Sequence, residues 1–217
     1  MSKVVILRPE PGASATLARA EAAGVEAVAI PLFEITPIDW VAPDATEYDA
    51  LLLTSANAVR HGGIQLSSLN GLPAYCVGEA TAGAAQQAGL GIAETGKGNA
   101  ADLAGRLPKD LRFLHLTGRS HRAIPSVAEI AVYDSVAIDP PPSLDALQDG
   151  VAMVHSPRAG ARLAELVKER STISIAAISP AAAAACGSGW RAVQSIAGPS
   201  DAALLELAAG LWQKRRP

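Results

Sequence analysis

Short apolar runs that end abruptly in polar or hydroxyl residues recur along the chain, and stretches of helical spacing separate them. The first run is Lys3-Val4-Val5-Ile6-Leu7, closed by Arg8-Pro9-Glu10-Pro11-Gly12. Runs this short favour strands over helices. The pattern predicts strands at 3–7, 50–54, 73–77, 91–94, 112–116, 151–154, 173–178 and 192–196. It predicts helices at 13–23, 57–62, 80–88, 99–107, 158–169, 181–186 and 201–213. Gly24 closes the first of these as a helix C-terminal glycine. Apolar strands alternating with helices imply mainly parallel sheets covered on both faces.

The pattern is written twice. Ala50-Leu51-Leu52-Leu53-Thr54-Ser55-Ala56-Asn57 returns as Val151-Ala152-Met153-Val154-His155-Ser156-Pro157-Arg158, and Ser156 lies 101 positions after Ser55 (156 − 55). At the same offset Cys76-Val77-Gly78-Glu79-Ala80-Thr81 falls on Ala177-Ile178-Ser179-Pro180-Ala181-Ala182. A third block, Asn99 to Leu103, falls on Ser200 to Leu204. The chain therefore reads as two copies of one α/β unit. Ser55 and Ser156 stand where an N-cap hydroxyl would accept from a first-turn amide.

The alternation fails in two places. Val25 to Pro37 and Val127 to Asp139 each read as one long extended segment, and Pro31 and Pro37 give the first of them edge character. From Arg8 to Phe33 is 25 residues (33 − 8), but from Thr117 to the equivalent Tyr133 only 16 (133 − 117). About two turns of helix, at ~3.6 residues per turn, are missing after Arg119. A short turn or loop takes their place. Five strands are expected in each sheet, yet the first copy lacks a start and the last an end. The closure that satisfies both joins 1–35 to 140–217 as one discontinuous domain around an inserted domain at 38–137. Segments 25–37 and 127–139 then form a two-stranded connection, followed by the stiff Pro140-Pro141-Pro142. A cleft between two domains follows.

Composition narrows the class. With 217 residues, 49% apolar and 18% charged, each half can bury a core. No apolar run approaches the roughly 20 residues that span a bilayer. Val4 to Leu7 is too short for a secretory signal, so a cytoplasmic protein without a membrane partner is expected. Cys76 and Cys186 sit at different places in the repeat and are expected as buried free thiols. A net charge of −3 counts against a nucleic-acid partner. The basic tail Lys214-Arg215-Arg216 reads as solvated cations at a helix C-terminus.

Parallel sheets bind ligands beyond the carboxyl ends of their strands, where helix N-terminal amides gather. There the sequence puts Arg8, Thr54, Ser55, Asn57, Gly78, Thr81, Thr117, Gly118, Arg119, His155, Ser156, Arg158 and Ser179. Hydroxyls, amides and guanidinium groups make this an anion-binding set. It contains no dinucleotide-binding glycine pattern, P-loop, metal-spaced ligand cluster or Ser-His-Asp order. Nicotinamide, ATP and zinc are not expected. His115 reads as a satisfied core histidine, and Trp40, Trp190 and Trp212 as packing residues.

These residues, in this order, resemble the uroporphyrinogen-III synthase family over nearly the whole chain. The likeness rests on Leu7-Arg8-Pro9, Leu53-Thr54-Ser55-Ala56-Asn57-Ala58-Val59, Val77-Gly78-Glu79-Ala80-Thr81-Ala82, Thr117-Gly118-Arg119 with Val132-Tyr133, and His155-Ser156-Pro157. It implies an α/β fold of two flavodoxin-like parallel-sheet domains joined by a two-stranded β linker, a cleft between them and no cofactor. Two departures stand out. Ile178-Ser179-Pro180-Ala181-Ala182-Ala183 replaces a segment in which the family often carries threonines, and the helix after Arg119 is lost.

The resemblance implies a lyase that cyclises hydroxymethylbilane, a flexible linear tetrapyrrole with eight carboxylates, losing water and inverting the last ring. Hydroxyl departure needs a proton donor. Tyr133 is the first choice, because a phenol with a pKa of about 10 keeps its proton at neutral pH; His155 is the second. A monomer is expected. Two other readings remain open: a two-domain binding protein that closes on an acidic small molecule, and a signalling receiver pair. The second would want an acidic strand end, where this chain has Thr54, Thr117 and His155.

Overall fold

The computed structural model describes residues 3–96, 103, 105–121, 123–198 and 200–214. The repeat block at 99–102, most of the helix expected at 99–107, and Arg215 and Arg216 of the basic tail lie outside them. Eleven strands are seen among the described residues. They are β1 Val4–Ile6, β2 Ala27–Ala29, β3 Phe33–Pro37, β4 Ala50–Leu53, β5 Ala74–Cys76 and β6 Ile92–Thr95. Then follow β7 Phe113–Gly118, β8 Ala128–Ala137, β9 Val151–Val154, β10 Ser174–Ala177 and β11 Ala192–Ser195. The helices are α1 Gly12–Ala22, α2 Ala56–His61, α3 Glu79–Gln87, α4 Pro157–Leu166, α5 Pro180–Ala185 and α6 Asp201–Gln213.

Chain contacts divide the protein into two compact units, Met1–Glu34 with Ala137–Pro217, and Ile35–Val136. The first holds a five-stranded sheet in the order β11-β10-β9-β1-β2. Its pairs are parallel, with Val5 opposite both Val28 and Ala152. Alternate residues enter opposite cores: Val5, Ala152, Val154 and Ile175 pack on one face, Val4, Ile6, Val151 and Met153 on the other. Helices α4 and α5 cover the first face, α1 and α6 the second. Burial on both faces is why these strands are continuous apolar runs, each large side chain contributing about 1.5–3 kcal/mol.

The second sheet is ordered β3-β8-β7-β4-β5-β6. It has six strands where five were expected. The sixth is β3, because the segment 25–37 does not run as one strand. It breaks around Pro31, giving β2 to one sheet and β3 to the other. The Ile38 amide donates to the Val132 carbonyl at 3.1 Å and the Ile138 amide to the Leu32 carbonyl at 3.1 Å, so β3 runs antiparallel to β8. The remaining pairs are parallel.

Helix α4 stops at Leu166 rather than at 169, because Val167 turns extended and its carbonyl accepts from Arg170 Nε at 2.9 Å. Three short 3-10 turns went unanticipated, at Ala45–Glu47, Ile64–Leu69 and Asp145–Leu147. Cys76 and Cys186 are buried and unpaired, and burial pushes both thiols up to about 11. No helix among the described residues is long and apolar enough to cross a membrane.

Candidate functional site

Within Ile35–Val136, neighbouring strands β8, β7 and β4 bring Tyr133, Thr117-Gly118-Arg119 and Thr54-Ser55 together at the carboxyl ends of β7 and β4. Pairing shifts at the end of β7: Thr117 lies opposite Ala131 but Gly118 opposite Tyr133, so β8 carries one extra residue. A bulge of this kind re-aims the side chain beside it. A Cβ on Gly118 would lie 2.7 Å from carbons of the Tyr133 ring, so only glycine lets the phenol lie across the strand end. The His61 ring is 6.3 Å away. The Arg119 amide donates to the Tyr133 carbonyl at 2.9 Å, while its Nε lies 3.4 Å from Asp134 Oδ2.

Ser55 caps α2 as expected, its Oγ accepting from the Asn57 amide at 3.2 Å; Asn57 Oδ1 accepts from Arg60. Thr54 is half-buried and its Oγ1 lies 2.8 Å from His115 Nε2. His115 is 1% exposed, and its Nδ1 meets Glu129 Oε1 at 3.0 Å. The other Glu129 oxygen meets His121 Nε2 at 2.8 Å, and His121 Nδ1 lies 2.9 Å from the Gly118 carbonyl oxygen. The Ile124 amide donates to Glu129 Oε1 at 3.1 Å. Glu129 thus ties down the loop that stands in for the missing crossover helix. Burial works to raise its carboxyl, but hydrogen bonds from His121, His115 and Ile124 hold it at about 2. Burial pushes His115 down despite the opposing pull of Glu129, whereas the bond to Glu129 pushes His121 up.

Gly78 has an extended φ of −171°, and a Cβ there would meet only the Gly96 carbonyl oxygen at 4.0 Å. Neither conformation nor packing requires glycine; its lack of a side chain leaves the start of α3 uncovered. Thr81 and Thr117 face the interior instead of an open strand end, at 6% and 3% exposure. Thr81 shares the buried face of α3 with Ala82, Ala84 and Ala85, and Thr117 belongs to a strand buried throughout.

In the unit Met1–Glu34 with Ala137–Pro217, Arg8 and His155 converge on Asp201, the first residue of α6. Arg8 Nη1 lies 3.1 Å and His155 Nε2 2.8 Å from Asp201 Oδ1. Thr16 Oγ1 lies 2.9 Å from the same atom, and Arg19 pairs with Oδ2. Burial tends to raise Asp201, but the bonds from His155 and Thr16, with the charge of Arg8, hold it at about 2. His155 Nδ1 is buried and has no hydrogen-bond partner among the described residues. Ser156 and Ser179 cap α4 and α5, accepting from the Ala159 and Ala182 amides at 3.1 and 3.2 Å. The Arg158 guanidinium lies over the Phe33 ring at 4.9 Å. Ala182, in the segment where the family often carries threonines, is fully buried in the core.

Sequence reasoning missed Asp201, Glu129, His121, Thr16 and Arg19. Asp201 stood in the repeat block, but its partner Arg8 lies 193 residues away; Glu129 was one of three acidic residues in an extended run, with nothing to single it out from Asp134 and Asp139. A surface pocket of about 450 Å³ lies elsewhere, before β10 among Pro141, Leu144 and Ile173, and contains none of the predicted residues. Among the described residues no group of His, Cys, Asp and Glu side chains is placed to hold a metal ion.

Residues 14–206 match the uroporphyrinogen-III synthase HemD family. Comparison with curated protein sequences finds no match. Among solved structures, the fold is similar to uroporphyrinogen-III synthetase from Helicobacter pylori, with a TM-score of 0.66 and 18% identity over 97% of this chain and 100% of that one. It is also similar to a mutant uroporphyrinogen III synthase from Thermus thermophilus, with a TM-score of 0.55 and 17% identity over 99% of this chain and 100% of that one. With a family match over most of its length and a mixed α/β fold built on parallel sheets, the chain belongs to the uroporphyrinogen-III synthase HemD family, enzymes of tetrapyrrole biosynthesis.

Proposed function

We propose that the enzyme holds hydroxymethylbilane by its carboxylates at strand-end amides and arginines, and that Tyr133 donates the proton with which the terminal hydroxyl leaves. In this reading the chain is two flavodoxin-like units joined by a two-stranded linker of β3 and β8. It works as a cytoplasmic monomer, without cofactor or nucleic-acid partner. The C–O bond breaks, the phenol proton goes out with the oxygen as water, and an azafulvene cation remains. Attack by the substituted α-carbon of the far pyrrole gives a spiro intermediate; that carbon's original methylene bond breaks and re-forms at the free α-carbon, which inverts the ring and releases a proton that restores the phenol. Unaided closure gives the uninverted isomer, so the enzyme must favour one attack geometry. Each tenfold of isomer selectivity requires about 1.4 kcal/mol of differential transition-state binding, which orientation can supply.

The observation that carries this reading is the Tyr133 ring laid across Gly118 at the end of β7. His155 is the weaker donor. Its Nε2 proton is committed to Asp201 and its Nδ1 is buried. The test supplies hydroxymethylbilane and resolves the type I and type III products after oxidation. Tyr133→Phe should lower the rate of type III formation by roughly 10²–10⁴-fold, the usual worth of a general acid; an unchanged rate removes Tyr133 from the role. Gly118→Ala should displace the ring, costing about 1–3 kcal/mol by overpacking and lowering the rate in parallel. If the wild type yields only spontaneous type I product, a binding protein is what remains.

A further inference from the structure

The protons of the Thr54–His115–Glu129 chain can be placed by elimination. The Glu129 carboxylate is ionised and can only accept. It accepts from the Ile124 amide, so at 3.0 Å from Oε1 His115 Nδ1 must carry a proton. A neutral imidazole with its proton on Nδ1 has a bare Nε2, which can only accept. The neighbour 2.8 Å from that Nε2 is the Thr54 hydroxyl, so Thr54 spends its one proton on His115. His115 is held in this state on all sides: Glu129 comes from β8, His121 from the following loop with its ring 5.8 Å away, and Thr54 from β4.

We propose that His115, fixed in one tautomer by Glu129, makes the half-buried Thr54 oxygen a hydrogen-bond acceptor toward the substrate, so that Thr54 takes a pyrrole N–H and not a carboxylate. The inference rests on the tetrapyrrole reading given above and refines it. A hydroxyl at a strand end beside helix amides looks like one more anion donor. With its proton turned inward it offers lone pairs, and lone pairs repel a carboxylate. The substrate carries both kinds of group, eight carboxylates on its rim and an N–H on each ring. One acceptor among donors distinguishes the ring from its side chains and fixes which edge of a pyrrole faces the sheet. His115 is then a positioning residue, and Glu129 positions it in turn.

Two measurements test this. In the full chain labelled with ¹⁵N-histidine, long-range ¹H–¹⁵N correlation NMR at neutral pH reads each tautomer without any ligand. His115 should show a protonated Nδ1 and a bare Nε2; the opposite tautomer, or a doubly protonated ring, overturns the proposal. The second arm measures binding of a dipyrrole tetracarboxylate and of its N-methylated analogue. Thr54→Val should weaken the N–H dipyrrole about ten-fold, the worth of one well-placed hydrogen bond, and leave the N-methylated ligand within about two-fold. Thr54→Ser, which keeps the oxygen, should restore the N–H preference. Equal losses for both ligands, or none for either, would sink it. If the wild type bound neither dipyrrole, the substrate reading would fall together with this inference. Type III product from an enzyme whose His115 carries its proton on Nε2 would overturn this inference alone.

Discussion

Asp201 and Glu129 are each half-buried, each drawn down to about 2 and each bonded to histidine, but they are surrounded differently. Asp201 faces two guanidinium groups, a buried threonine and His155. Glu129 faces two imidazoles and a backbone amide. The first cluster balances charge with permanent cations, so its histidine is one donor among several. The second offers the carboxylate imidazole and amide donors, so the nitrogen that each ring turns toward it must carry a proton. Thr54 and His155 occupy equivalent positions of the repeat, 101 residues apart (155 − 54). In one unit that position is the histidine anchored to an acid. In the other it is a hydroxyl fed by a histidine that is itself anchored. A duplicated framework has been turned to two uses, a charged brace and a polarised acceptor.

Removing each carboxylate separates the two. Asp201→Asn leaves Arg8 and Arg19 facing each other without their counter-charge; both guanidinium groups are a third or more exposed, so water screens part of the loss and about 2–3 kcal/mol is expected. Glu129→Gln keeps an acceptor for one histidine and strands no permanent cation. It exchanges charge-assisted bonds for neutral ones and should cost about 1–1.5 kcal/mol, the difference between the two kinds. Urea unfolding of both variants against the wild type gives the comparison directly. Equal losses would mean that the guanidinium groups contribute nothing, and the distinction between brace and acceptor would collapse.

What could be read from the sequence was local. Ser55 and Ser156 cap the helices they precede because an N-cap is decided within three residues, and β9 and α6 fall where the apolar pattern puts them. The missing helix after Arg119 was also visible, as a shortfall in length. The groups that replace it were not. Thr54 and His115 are 61 residues apart and Asp201 and Arg8 are 193 apart, brought together only by strand order. The extra residue in β8 that turns Tyr133 onto Gly118 is a register shift, and an extended run shows no sign of one. Pro31 gave 25–37 edge character, but not the break there that sends its two sides to different sheets. The histidine pattern was likewise misleading: His115 is indeed satisfied in the core, yet what satisfies it is a residue of the candidate site.

The smallest expected effect is in the pH dependence of stability. Asp201 and Glu129 both titrate below their ordinary values of 3.8 and 4.5, so their contribution is full above about 4.5 and fades as pH falls through about 2. Nearer neutrality the Glu129 cluster adds two opposed slopes. His121 is raised from its ordinary 6.5 by its bond to Glu129, so its contribution is complete below 6.5 and is lost as pH rises through the raised value. His115 is lowered, chiefly by burial, so its neutral state contributes fully above 6.5 and that contribution is lost as pH drops. The wild type should therefore show a shallow stability maximum near 6.5. His121→Gln keeps a donor to Glu129 and removes only the titration, so the decline above the maximum should vanish while the rise below it persists. Urea midpoints taken from pH 5 to 9 on both proteins resolve this. A decline that survives in His121→Gln would mean that the slope does not come from Glu129's second imidazole, and that the cluster does not set its histidines apart as the geometry requires.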